Sequence, residues 1–228
     1  MRRCVRSSGL IAVVKLLTQF PAGARELPWD IRRADRVRPL LVHVADPARR
    51  ALAEAALDGF AQRTKPKLAG LRRQPIHNDF NLYNLLVEPD DPARVAGILD
   101  FGDMVHAPLV DDLAVATSYH IDEHDDALAT IARFAADYHA VSPLTDGETH
   151  ALLDLVRARL AMVVAISGWR AARQPDNAAY LMRNNAVSWG RLQACATLTP
   201  DQVQDAIRAA CRVAQPTEPT EATEPIHD

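Results

Sequence analysis

Cysteine is scarce and scattered. Only Cys4, Cys195 and Cys211 occur in 228 residues, an odd number with no C-x-x-C pair, which argues against a disulfide framework and a zinc site and fits a reducing cytosol. An excess of one charge is missing too. The 26 Lys and Arg oppose 29 Asp and Glu, a formal net charge of -3, so bulk electrostatics favours neither nucleic acid nor an acidic membrane surface. Any anionic ligand has to be held locally. No apolar run approaches the ~18 residues of a membrane-spanning helix, and no internal repeat of structural period is visible. The N-terminal "MRRCVRSSGLIAVVKLLTQFPAGA" loosely imitates a secretory signal, with a basic start and Ala22-x-Ala24. Lys15 interrupts its apolar part, and Leu10, Val13, Val14 and Leu17 at i, i+3, i+4, i+7 describe an amphipathic helix equally well.

What the chain does contain is helical period with good punctuation, at a length able to bury a sizeable core. A helix is expected over about 8–19, followed by a Pro- and Gly-containing connection through "PAGARELPWDIRRADRVRP". Asp46 before Pro47 is an N-cap with proline at the first helical position, opening a helix to about Thr64. "LLV" (85–87) and "VAGILDF" (95–101), joined by "EPDDPAR", read as a β-hairpin and as the only strand pair. Beyond Pro108 helices are expected over about 110–120, 125–140, 147–173, 176–196 and 200–213. Thr145-x-x-Glu148 forms a capping box, and Thr199 precedes Pro200. The tail repeats Thr-Glu-Pro, has little to bury and reads as disordered over 215–228.

Chemistry concentrates around the hairpin. "HNDFNLYNLL" (77–86) leads into its first strand and "ILDFGDM" closes its second. A two-stranded turn therefore brings Asp79 and Asn84 near Asp100, so that three oxygen ligands converge on one small volume. Oxygen-only ligands suit Mg2+, which binds through one or two side chains plus phosphate oxygens, whereas zinc wants nitrogen or sulfur.

The order H-x-D-x-x-x-x-N, then D-F-G, then "DDLA" at Asp111 and Asp112 resembles the catalytic and metal-binding loops of kinase-like phosphotransferases. The variant is similar to the aminoglycoside phosphotransferase family, most of all its hydroxylysine-kinase-like branch, through "LPWDIRRA", "RRQPIHND", "DFGDMVHAPLVDDLAVA", "YHAVSPLT" and "SGWRAARQPDN". The likeness covers roughly residues 16 to 195. It implies a mainly helical α+β fold, the C-terminal lobe of a protein-kinase-like fold with a short catalytic hairpin. On that division residues 1–15 are an uncertain N-terminal segment, 16–214 the phosphotransferase lobe and 215–228 the tail.

The resemblance also implies roles. Asp79 accepts the proton of a substrate hydroxyl, His77 pins the catalytic loop, and Asn84 and Asp100 hold Mg2+ against the phosphates of ATP or GTP. Asp112 anchors the loop backbone, and Asp103 either steadies the metal loop or faces the acceptor. The acceptor is an amine-containing small alcohol or a hydroxylated amino acid such as hydroxylysine. Two departures stand out: Asn78 and Asn81 occupy positions where many relatives carry Gly and His. Nor does a Gly-rich phosphate loop or a strand-borne Lys with a helical Glu partner precede residue 77. The chain thus looks like a large lobe lacking most of its small one. That lobe is expected from an upstream segment, from another chain or a second copy, or else catalysis has been lost and the chain is a silent interaction domain. A metal-dependent phosphohydrolase built on His77, Asp79 and Asp100 is the third choice.

Other features have plainer readings. "DEHDD" (122–126) either attracts an amine or is a solvated helix start. Trp169, Arg170 and Trp189 read as core or rim packing before substrate stacking. His106, His120, His139 and His150 lack metal-ligand spacing, and Cys195 and Cys211 read as small buried apolar residues.

Overall fold

The computed structural model describes residues 27–92, 94–121 and 126–214. The expected helix over 8–19, the signal-like segment, Cys4, most of "DEHDD" and the tail lie outside the described residues.

The fold is α+β and mainly helical, with two small antiparallel sheets. A 3-10 helix, Ile31–His43, opens the described chain where sequence suggested a connection. Asp30 caps it by accepting from the Arg32 N–H, and its buried stripe Ile31, Ala34, Val37 and Leu41 supplies the reason it folds back onto the core. The helix α1, Pro47–Gly59, starts on the Asp46 cap, whose carboxylate accepts from the N–H groups of Ala48 and Arg49. A single π-helical turn, Phe60–Thr64, prolongs it to the expected end.

Two strand pairs follow. β1, Arg73–Ile76, pairs with β4, Val105–Pro108, while β2, Leu85–Val87, pairs with β3, Val95–Ile98. The second is the expected hairpin, with a register irregularity between Leu86 and Val87. It ends at Ile98, short of Phe101, because Asp100 adopts a left-handed backbone (φ 60°) that no strand can continue. The β1–β4 pair was not anticipated. Each of its strands is four residues long and carries a proline, Pro75 or Pro108, which demotes a strand reading from sequence.

The helices α2, Leu109–His120, α3, Ala127–His139, and α4, Asp146–Arg173, match expectation within two residues at each end. The expected helix over 176–196 is instead broken into a 3-10 turn Pro175–Asn177, a short α5, Ala178–Leu181, and α6, Asn185–Cys195. The helix α7, Pro200–Ala214, closes the described chain, and Thr199 and Gln202 cap it reciprocally.

The 28-residue α4 is the axis of the molecule. Its residues are buried on every side over most of Glu148–Ser167, because the Ile31–His43 helix, α1, α2, α6 and α7 all pack around it. A helix enclosed in this way must pair each charge it carries. Glu148 accepts from Arg72 (2.6 Å), Asp154 from Arg63 (2.6 Å) and Thr64 (3.1 Å), and Arg157 donates to the carbonyls of Cys195, Ala196 and Leu198 at the end of α6. The fourth charge, Arg159, is the one that reaches the site. Among the described residues no helix is long and apolar enough to cross a membrane.

Candidate active site

The loop between β1 and β2 is held from beneath by α2. Asp112, in its first turn and almost wholly buried, accepts the backbone N–H of His77 through Oδ2 (3.0 Å) and of Asn78 through Oδ1 (2.7 Å). Burial pushes its carboxyl pKa up, and the two N–H donors pull back against that. The grip is needed because Asn78 sits at φ 65°. Asn tolerates the left-handed region better than other residues with a Cβ, so the replacement of Gly here preserves the turn.

His77 is fully buried, with both ring nitrogens engaged by backbone. Nε2 lies 2.8 Å from the Leu99 carbonyl and Nδ1 3.3 Å from the Asp79 N–H, which assigns the ring hydrogen to Nε2. Phe80 and Phe101 wall the imidazole at 5.9 and 5.1 Å between ring centroids. The ring thus spans both polar loops and does not line the cavity described below.

Asp79 is fixed from several directions. Arg159 Nη2 donates to Oδ1 at 2.9 Å, and Asn81 and Asn84 donate to Oδ2 at 3.2 and 3.3 Å and to its backbone carbonyl at 3.0 and 2.9 Å. Asn81 also accepts the Tyr83 N–H (2.8 Å), capping the turn Leu82–Asn84. At the second departure from the family pattern, therefore, Asn81 ties the loop to Asp79. Leu99 N–H donates to the Asn84 carbonyl (2.9 Å), joining the metal-type loop to the catalytic-type loop.

These contacts bear on whether a divalent cation fits. With its NH2 committed to Asp79, Asn84 presents its side-chain oxygen elsewhere. Asp100 holds its strained backbone without spending its carboxylate on a helix cap, and a Cβ at Gly102 would come within 3.3 Å of Asp100 Oδ1. The glycine keeps that carboxylate clear. An amide oxygen and a carboxylate, both hard donors, suit Mg2+ completed by phosphate oxygens. Among the described residues no three His, Cys, Asp or Glu side chains converge as a metal cluster of their own.

A cavity of about 310 Å³ opens beside Asp79. Asp103 lines it as well, and its carboxyl pKa is raised by burial and then by Asp79, with Arg159 opposing. Of the residues singled out from the sequence, Asp79 and Asp103 line the cavity, Asn84 and Asp100 flank the hairpin with Asn84 bonded to Asp79, and Asp112 lies below the loop. Sequence reasoning missed Arg159 and Trp29. The guanidinium is 3% exposed, stands 5.1 Å from the Trp29 ring centroid and donates to the Trp29 carbonyl at 3.3 Å. An arginine in the apolar run "RLAMVVAISG" was the available signal, since a buried cation demands a carboxylate. Arg170 lines the cavity, whereas Trp169 stacks with Arg173 (5.4 Å) and Trp189 is buried against Arg49 (5.6 Å). Cys195 is buried as expected, with its thiol pushed up to about 11 by desolvation, and Cys211 is half-buried.

The site is thus a carboxylate held rigid beside a cavity of small-molecule size, with a hairpin flanked by oxygen donors next to it. The chain belongs to the phosphotransferase enzyme family (APH), which matches over residues 8–144. It is 31% identical to hydroxylysine kinase of Danio rerio over 173 residues, 73% of this chain and 48% of that one. It is 27% identical to hydroxylysine kinase of Mus musculus over 171 residues (72% and 46%) and 32% identical to homoserine kinase of Methylobacillus flagellatus over 140 residues (58% and 40%). The chain spans about half the length of the curated relatives it matches.

Proposed function

We propose that this chain is the C-terminal, acceptor-binding lobe of a small-molecule kinase, spanning residues 16–214, which transfers the γ-phosphoryl group of ATP or GTP to a hydroxyl of a hydroxylated amino acid such as hydroxylysine. One observation carries the reading: the Asp79 carboxylate is immobilised by Arg159, Asn81 and Asn84 and opens onto a cavity of small-molecule size. Phosphoryl transfer asks a protein chiefly for positioning and charge neutralisation. As the acceptor oxygen forms its bond to the γ-phosphorus and the bond to the bridging oxygen breaks, the hydroxyl proton passes to Asp79. Asn84 and Asp100 would hold Mg2+, which neutralises the nucleotide phosphates when bound. His77 and Asp112 keep the loop in place and move no proton.

Asp79→Asn keeps the side chain's size, removes the base and turns one of its two acceptor oxygens into a donor. Acceptor-dependent release of ADP or GDP should fall by about 10²- to 10⁴-fold, and a variant retaining full rate would exclude the role. Release of phosphate without a phosphorylated acceptor would instead favour the phosphohydrolase reading.

A second reading has one observation in its favour. Tyr83 (81% exposed), Leu86, Leu99 and Phe101 form an apolar edge around the β2–β3 hairpin. Such an edge suits a nucleotide-capping lobe joined in the same chain or supplied in trans. Activity that appears only when such a lobe is present would support it.

A further inference from the structure

The cavity beside Asp79 is electrically polarised from end to end. Asp79 and Asp103 mark the end where the hydroxyl would react, and Arg159, although 3% exposed, has an Nε without a hydrogen-bond partner among the described residues. Arg170 and Arg183 line the cavity too, Arg170 farther along α4 from that end. Arg159 and Arg170 lie on one face of α4, separated by eleven residues and so by roughly 16 Å along the axis. Arg183 joins Arg170 from the turn after α5. Among the described residues neither of these two guanidinium groups has a carboxylate within ion-pair distance.

Charge and aromatic character together select the ligand. Arg159 is matched by Asp79, which leaves two cations at the rim against Asp103. A polycation would be repelled there. A quaternary amine would seek a cage of exposed aromatic faces, yet of the three aromatic residues lining the cavity, Trp29 is covered by Arg159 at 5.1 Å and Tyr180 by Arg183 at 3.9 Å, which leaves Tyr119 alone. The cavity therefore offers guanidinium where an aromatic cage would offer rings. Planar guanidinium forks pair with carboxylates in bidentate fashion.

We propose that Arg170 and Arg183 form a carboxylate clamp that selects acceptors whose carboxylate lies far from the reacting hydroxyl, while Asp103 receives an ammonium placed next to that hydroxyl. The clamp makes the two arginines specificity-determining residues and restricts the substrate class to long hydroxylated amino acids. The inference rests on Asp79 marking the reacting end.

Its test is binding, so that it does not depend on turnover. Calorimetric titration of the full chain with hydroxylysine should give an affinity at least tenfold higher than with its decarboxylated counterpart, the corresponding diamino alcohol. Homoserine, whose amine and carboxylate share one carbon, should bind more weakly than hydroxylysine. In R170Q/R183Q the preference for the carboxylate-bearing compound should vanish, and R170K/R183K should restore part of it. Equal affinity for the two compounds, a preference unchanged in R170Q/R183Q, tighter binding of homoserine, or no binding of any of them at millimolar concentration by chain that is folded by circular dichroism would each overturn the clamp. Selective binding without phosphoryl transfer, in the presence of a nucleotide-capping lobe, would sink the kinase reading and leave the carboxylate preference standing, and transfer without selectivity would do the reverse.

Discussion

The helical half of the molecule and the β2–β3 hairpin follow opposite rules. Along α4 nearly every residue from Glu148 to Ser167 is enclosed, and its charges are matched one by one. On the hairpin Leu86 and Val87 are exposed, and the flanking Tyr83, Leu99 and Phe101 are exposed too. Asn84 and Asp100, the proposed metal donors, flank the loosely covered element, whereas Asp112 and Arg159, which grip the loop that carries Asp79, belong to the enclosed one. Reactive groups at the edge are thus positioned by anchors in the core. A ligand gains access to the first set without the second losing its packing, which is how a rigid scaffold and an open site coexist.

Cutting the tether between the two regions should cost as much as hollowing the core. Asp112→Ala strands the buried N–H groups of His77 and Asn78, each costing about 1–3 kcal/mol when unsatisfied. Asn78 also loses what holds it in its left-handed conformation. A destabilisation of about 3 kcal/mol in urea unfolding is expected. A loss below about 1 kcal/mol would mean that the hairpin side carries the loop by itself.

How much of this was legible in the sequence depended on the range of the interaction. Helix starts were readable because their signals are local: Asp46 with Pro47, Thr145 with Glu148 and Thr199 before Pro200 all cap the helices they precede. The H-x-D-x-x-x-x-N and D-F-G segments pointed to Asp79, Asn84 and Asp100 because one hairpin joins them. The pairing of β1 with β4 was hidden by two prolines and by the separation of Arg73 from Pro108. Arg159 was hidden more deeply, eighty positions from the Asp79 it serves. Only the discord of a cation inside an apolar helix marked it, and the same discord marked Arg157, which caps the end of α6. Sequence shows that such a charge needs a partner; packing decides which one.

The residue beside the tether should have a smaller effect. Asp111 is buried like Asp112, but among the described residues neither of its carboxylate oxygens has a hydrogen-bond partner. Burial, followed by repulsion from Asp30, holds its pKa well above the ordinary carboxylate value, and Arg32 offsets this only in part. The native state therefore binds this proton more tightly than the unfolded chain does. The stability it contributes is fully present in acid, below the unfolded value of about 3.9, and declines as pH rises from there to the raised native pKa. Asp111→Asn removes the ionisation. It should raise the thermal midpoint at neutral pH by a few degrees and flatten the dependence of stability on pH above about 4. An unchanged pH profile would assign the acid-side stability to another group.

The smallest effect should come from the hairpin's outer surface, and its smallness is what the contrast between the two regions requires. Leu86 is 49% exposed and faces Gly97 across the ladder. Leu86→Thr keeps strand propensity and replaces apolar surface that water already touches, so unfolding should change by no more than about 0.5 kcal/mol. A core leucine such as Leu152, wholly enclosed on α4, should cost about 2–5 kcal/mol when truncated to Ala. If the hairpin edge is the face that meets the nucleotide or the lobe covering it, Leu86→Thr should raise the KM for the nucleotide while leaving that for the acceptor alone. The two changes together separate a surface kept apolar for contact from one kept apolar for folding. A Leu86→Thr variant that unfolds as readily as Leu152→Ala would show that the hairpin is part of the core after all.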